Sequence, residues 1–285
     1  VDLIADFAAA IPVEVIGNLL AVPHEERGPL RDWSLAILGA LEPRLTDTQM
    51  AAGNQAVTAF LAYQRDLVAR RRAAPGDPDR DMLTRLILGE RKGGERKGGE
   101  RKAGERGERL SELELLHNVI FILNAGHETT TNLIGNGLVA LQDWPAERAR
   151  LIARPALIKP AVEELLRFES SNQLGNRRVA RDVTLGGVDM PAGTLITIGI
   201  GAANRDPAVF ADPDRLDVGR SPNPHLAFGS GPHQCAGLNV ARLEGRIAVQ
   251  RFLARFPGYR LAGTPGRSGR ARFRGFLSAP IQLGG

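Results

Sequence analysis

The chain has 285 residues, 43% of them hydrophobic, a formal net charge of +5 and one cysteine. That length buries a sizeable core; a single cysteine excludes a disulfide framework and points to a reducing compartment; no apolar run reaches the length of a bilayer span. No targeting signal opens the sequence, so a cytoplasmic protein without a membrane partner is expected. The arginines that supply the charge come without the aromatic-rich strands or helix-turn-helix pattern of a nucleic-acid binder, and no nucleic-acid partner is expected.

Leu3, Ile4, Phe7, Ile11, Val15, Ile16 and Leu19 recur at helical spacing from the first residues on. The sequence therefore opens inside an amphipathic helix, and the chain is expected to be the larger, C-terminal part of something longer. Helical patterning continues to Arg72, with Pro12, Pro23, Pro29 and Pro43 marking starts, kinks or joins. A helix is predicted over residues 48–72 with Asp47 or Thr46 as N-cap, followed by the turn Ala73-Ala-Pro-Gly-Asp-Pro78 and a short helix from Asp81 to Leu88. Residues 90–109 repeat Glu-Arg-Lys-Gly-Gly. With no apolar face and much glycine, they predict a disordered linker, a basic docking arm being the alternative.

Ser111 and Glu114 then form a capping box for a long helix, with Leu113, Leu116, Ile120, Leu123, Leu133 and Leu138 on its apolar side. Helices over 145–153 and 155–168 lead into short antiparallel strands at 183–185, 188 and 195–198, broken by Gly186-Gly187 and Pro191-Ala-Gly193. Residues 204–224 read as ordered coil, and a helix over 237–256 with a few terminal strands closes the chain. The fold class expected is mainly α with a minor antiparallel β region, in one domain over 1–285.

Cys235 stands in Phe228-Gly-Ser-Gly-Pro-His-Gln-Cys-Ala-Gly237, just before the last helix. Alone it reads as a small buried cysteine in a glycine-rich turn. A thiolate held against a metal, however, needs donors and no competing bulk, and Gly229, Gly231 and Gly237 allow close approach of backbone to a flat cofactor. The helix start that follows favours an anion. In Ala125-Gly-His-Glu-Thr-Thr130, Gly126 costs roughly 1 kcal/mol of helix propensity and invites a reason, such as a flat ligand on the backbone. Glu164-Leu-Leu-Arg167 puts two opposite charges on one helical face. Arg178-Val-Ala180 and His225-Leu-Ala-Phe228 add two cationic positions, and Arg242 and Arg246 lie one turn apart beyond the cysteine. The five histidines form no zinc-like grouping, and no glycine-rich strand-to-helix turn suggests a built-in nucleotide domain.

In their order and spacing these motifs resemble those of bacterial cytochromes P450, and the resemblance covers nearly the whole chain. It implies a cytochrome P450-like fold, N-terminally incomplete, and a haem-thiolate monooxygenase that inserts one oxygen atom from O2 into a small or medium organic substrate. The cofactor would be haem b, iron protoporphyrin IX, with Cys235 as iron ligand, Phe228 near the sulfur, Gly229 and Gly237 shaping the loop, and His233, Arg178 and His225 on the propionates. A thiolate ligand pushes electron density toward iron and favours O–O cleavage. Ala125 and Gly126 would border the haem, Thr129 would hydrogen-bond dioxygen, and Glu128 would relay protons. Glu164 and Arg167, joined by Arg215, would be a buried structural group. Electrons would come from a separate ferredoxin or flavoprotein, for which Arg242 and Arg246 are a candidate surface or else a solvated face. Asn172 and Gln173 would give the pocket a hydrogen-bonding edge or else face water. The rival expectation is a non-catalytic remnant of the family that lacks haem and serves as a binding or structural module.

Overall fold

Caps and prolines set where the helices begin, and the computed structural model describes residues 1–88 and 110–284. The repeat at 90–109 lies outside the described residues. A π-helical turn, Ile4–Ala8, precedes α1 (Ala10–Leu19), and α2 (Leu30–Gly39) follows Pro29. Of the two N-cap candidates for α3 (Asp47–Ala73), Thr46 is the cap: its hydroxyl accepts the Gln49 amide at 3.2 Å while Gln49 Oε1 accepts the Thr46 amide at 2.9 Å. Asp81 accepts the Thr84 amide at 3.0 Å and so starts α4 (Met82–Leu88). The Ser111 and Glu114 box opens α5 (Glu112–Asp143), with the Ser111 amide donating to Glu114 Oε2 at 2.8 Å. Leu113, expected on the apolar side of that helix, is 57% exposed. In the first turn the buried face is carried by Leu115 and Leu116 instead.

α6 (Pro145–Ala153) starts on a proline, whose missing amide donor costs nothing there. The next predicted helix is a 3₁₀ turn, Pro155–Leu157, that runs into α7 (Ile158–Phe168). β1 (Leu174–Arg178) was not foreseen; β2 (Val183–Leu185) and β3 (Val188–Met190) form the expected hairpin, turning through Gly186 and Gly187 at φ of 58° and 79°. β4 (Leu195–Gly199) pairs antiparallel with β1, Leu174 opposite Gly199 and Arg178 opposite Leu195. After α8 (Ile200–Ala203) and the coil comes α9 (Leu238–Arg255), then β5 (Arg260–Leu261), β6 (Gly266–Arg267), β7 (Phe276–Ser278) and β8 (Ile281–Gln282), pairing β5 with β8 and β6 with β7. The architecture is mainly helical with small antiparallel sheets, as the sequence predicts.

The chain divides into two compact units, Val1–Ile11 with Glu128–Gly285 and Pro12–His127. The first has its own core, in which Leu133, Leu138, Val162, Leu165, Val249 and Phe252 bring α5, α7 and α9 together. In the second, Phe60 of α3 stacks on Trp33 of α2 with centroids 5.0 Å apart, among Leu30, Leu67, Leu116 and Leu123. Gly53 allows the close α2–α3 crossing, since a Cβ there would stand only 2.4 Å from that of Ala40. Glu26 ties α3 down through Tyr63, whose hydroxyl donates at 2.7 Å, and Arg70, which donates to both carboxylate oxygens at 2.8 Å.

His127 is buried within that second unit, and burial, assisted by the charge of Arg31, pushes its pKa down to about 4. The unfolded chain, with a histidine near its ordinary 6.5, binds the proton first. Folding stability therefore drops as pH falls from 7 toward 4, with about 2 kcal/mol of the drop between pH 7 and 5 arising from this group. In His127→Gln, urea unfolding at the two pH values is expected to show a fall smaller by that amount; an unchanged fall refutes the assignment.

Candidate functional site

The site is built on α7, whose consecutive glutamates serve different neighbours. Glu164 and Arg167 are both fully buried. Arg167 donates from Nε and Nη2 to the two Glu164 oxygens at 2.7 and 2.9 Å, from Nη1 to the carbonyls of Asn204 and Pro213 at 2.9 and 2.8 Å, and from Nη2 to the Arg215 carbonyl at 3.2 Å. All five guanidinium donors are thus used, which is the condition for tolerating a buried cation. Glu164 also accepts from the Asp217 amide at 3.0 Å, Asn223 Nδ2 at 3.1 Å and Arg220 Nε at 3.1 Å.

The third member of this group is therefore Arg220, and the expectation of Arg215 is corrected. Arg215 gives only its carbonyl, to Arg167 and Arg220, and its side chain is exposed. Both arginines lie in aperiodic coil, where spacing says nothing about which side chain turns inward. The network staples the coil to α7.

From that coil the chain passes to the cysteine loop. The Leu226 amide donates to Asn204 Oδ1 at 2.6 Å, and Asn204 Nδ2 donates to Ser170 Oγ at 2.7 Å, fixing the loop's start. Gly229 and Gly231 take φ of 68° and 69°, a region closed to most residues, and a 3₁₀ turn Gly231–His233 follows. The Cys235 amide donates to the Phe228 carbonyl at 2.9 Å and closes the loop. Cys235 and His233 are exposed, and Gly237 is the N-cap of α9. A Cβ on Gly237 would stand 4.0 Å from the Cys235 sulfur, and one on Gly231 would meet none of the described residues within 4 Å. A bare sulfur presented from a glycine-lined loop at a helix start has the donor chemistry and the clearance that a haem iron requires of an axial thiolate.

His225 differs from its expected setting. Its Nε2 faces Glu163 Oε2 at 3.1 Å, its Nδ1 accepts the Ala227 amide at 3.2 Å, and the side chain is 3% exposed. Both ring nitrogens are engaged inside the protein. Arg178, at the end of β1, is exposed and donates to the Gly193 carbonyl at 3.2 Å. Arg242 and Arg246 are drawn back to Glu163, at 2.8 and 3.9 Å, in place of a purely outward-facing pair. Glu163 belongs to none of the sequence motifs above, its partners being set by the fold.

On α5, Glu128 is buried, meets Arg270 Nη1 at 3.3 Å, and lies 3.4 Å from Asn132 Nδ2. The Thr129 carbonyl accepts from Ser171 Oγ at 2.8 Å. Gly126 and Ala125 belong to the second unit, where a Cβ on Gly126 would stand 2.5 Å from Ile16 Cδ1. Close packing against α1 thus gives this helical glycine a reason besides a flat ligand. Gln173 donates to the Ser170 carbonyl at 2.6 Å, so its amide is turned to the backbone, whereas Asn172 Oδ1 is a buried acceptor with no hydrogen-bond partner among the described residues. Among the described residues, no cluster of three or more His, Cys, Asp or Glu is placed to hold a metal ion, and no helix is long and apolar enough to cross a membrane.

The family profile described as Cytochrome P450 matches residues 152–259, which span α7, the coil, the cysteine loop and α9. Cytochrome P450 107B1 of Saccharopolyspora erythraea is 40% identical over 100% of this chain and 65% of its own length. The mycinamicin IV hydroxylase/epoxidase of Micromonospora griseorubida is 40% identical over 99% of this chain and 66% of its own. Among solved structures, P450BioI in complex with an acyl carrier protein ligated to hexadec-9Z-enoic acid superposes with a TM-score of 0.89 at 34% identity, over 99% of this chain and 69% of that one. The chain spans just under two thirds of the length of the curated relatives it matches.

Proposed function

The chain belongs to the cytochrome P450 family, and from that premise we propose that it is a haem-thiolate monooxygenase acting on a small or medium organic molecule. The observation that carries this reading is the exposed Cys235 at the start of α9, in a glycine-lined loop whose closure depends on the Phe228 carbonyl. Haem b, when bound, supplies the iron at which O2 is reduced and activated.

In this proposal Cys235 provides the sulfur ligand and Phe228 covers it from one side. Gly229 and Gly237 keep bulk away from the sulfur. Arg178 and His233, both exposed, bind the propionates by charge-assisted hydrogen bonds. His225 holds the loop, because its ring nitrogens already serve Glu163 and Ala227. The Thr129 hydroxyl holds a proton for the oxygen side, and the Glu128 carboxylate, steadied by Arg270, is the group that replenishes it. Asn172 Oδ1 offers a substrate donor a buried acceptor. Electrons come one at a time from a ferredoxin or flavoprotein in the cytoplasm.

The test is the spectrum of the full-length, haem-supplemented protein, reduced and treated with CO. A red-shifted Soret band characteristic of a thiolate-bound haem is the expected result. Stoichiometric haem without that band sinks the ligand assignment, and no haem at all favours a non-catalytic member of the family.

A further inference from the structure

Successive residues on a helix point about 100° apart, so Glu163 faces away from the network that holds Glu164. Its Oε2 accepts from His225 Nε2 at 3.1 Å and from Arg242 Nη2 at 2.8 Å, and its Oε1 accepts from Arg242 Nε at 2.8 Å. Because His225 Nδ1 accepts the Ala227 amide, the ring proton is assigned to Nε2 and is aimed at the carboxylate. Burial would raise the Glu163 carboxyl, yet the hydrogen bonds from His225 and Arg242 prevail and hold its pKa down at about 2.

These bonds fix both flanks of the cysteine loop. His225 precedes Cys235 and Arg242 follows it on α9. Between them lies Phe228, with the Arg242 guanidinium 4.9 Å above its ring and the His225 ring 6.1 Å away. The Phe228 carbonyl receives the Cys235 amide. An unbroken chain of contacts therefore runs from one carboxylate to the backbone that carries the sulfur. Bidentate arginine pairs fix geometry as well as charge, and a cation over an aromatic face is attracted by its quadrupole.

We propose that Glu163 is a positioning residue for Cys235, clamping His225 and Arg242 around Phe228 so that the loop holds its sulfur in one orientation. What that orientation serves rests on the reading of Cys235 as the haem ligand; the clamp itself does not.

Hydrogen exchange on the haem-free protein separates the two. In Glu163→Gln, which keeps volume and loses charge, the Cys235 amide is expected to exchange at least ten-fold faster, with the β5–β8 pair and the Pro12–His127 unit unchanged. Unchanged exchange at Cys235, or uniform acceleration through the whole protein, overturns the proposal. Arg246→Gln, whose guanidinium stands 3.9 Å from Glu163, is expected to stay within two-fold; an effect equal to that of Glu163→Gln overturns a specific clamp. Should Glu163→Gln fail to fold, Arg242→Lys keeps the charge and loses the fork, and the same local acceleration is required of it. On haem-supplemented protein, below the unfolding transition, the fraction of reduced haem giving the red-shifted CO band is expected to fall at least three-fold in Glu163→Gln. No loss of that fraction overturns the positioning role, whereas a wild type without the band sinks the monooxygenase reading and leaves the exchange result standing.

Discussion

Glu164→Gln is expected to destabilise the protein by about 3–5 kcal/mol, because it leaves the fully buried Arg167 charge without its counter-ion. The cost is local in origin and wide in effect. Arg167 still donates to the carbonyls of Asn204, Pro213 and Arg215, but Glu164 is also the acceptor for Arg220, Asn223 and the Asp217 amide. Glutamine offers one acceptor oxygen and presents two donors to a site that needs only acceptors, so at least one buried donor goes unpaired. A domain with a total of about 5–15 kcal/mol loses a large share of it. Arg220→Gln is expected to cost less, since that side chain keeps some solvent contact, and Arg215→Ala to stay within about 0.5 kcal/mol because only its backbone takes part. Urea unfolding of the three variants checks the order. Equal losses for Arg215→Ala and Arg220→Gln would restore the original assignment.

The same group of residues shows what a sequence discloses. Glu164 and Arg167 were legible because a helix converts an interval of three residues into adjacency. Arg220 was not, because coil residues 204–224 have no period to convert. Glu163 carries no local signal of its role, because its partners His225 and Arg242 lie far along the chain. β1 was missed because Gly175, Asn176 and two arginines carry little strand propensity, and only pairing with β4 makes it a strand. Helix starts fared better, since Thr46 with Gln49 and Ser111 with Glu114 act within four residues. Gly126 stands out in the sequence by its cost in mid-helix, while packing on Ile16 gives that cost an explanation the sequence does not carry. The cysteine loop was readable because its constraints are local: positive φ at Gly229 and Gly231, and a glycine at 237, where a Cβ would stand 4.0 Å from the sulfur.

Cys235→Ser is expected to separate ligand chemistry from folding. The cysteine is exposed, so exchanging sulfur for oxygen removes little packing, and unfolding free energy is expected to change by no more than about 0.5 kcal/mol. The loop's closing bond uses the Cys235 amide and the Phe228 carbonyl, which the substitution leaves in place. The helix start, the glycines and the clamp from Glu163 are likewise untouched. What changes is the donor: a serine hydroxyl is harder and stays protonated at neutral pH, so it neither replaces a thiolate on iron nor supplies its electron density. Haem-supplemented Cys235→Ser is therefore expected to lose the red-shifted CO band entirely, while the far-UV circular dichroism and unfolding midpoint of the haem-free variant match those of haem-free wild type. Persistence of the band would overturn Cys235, the one cysteine of the sequence, as the source of the thiolate signature. Collapse of the fold would show the sulfur to be a structural group, and the exposed, glycine-lined setting of Cys235 would then need another explanation.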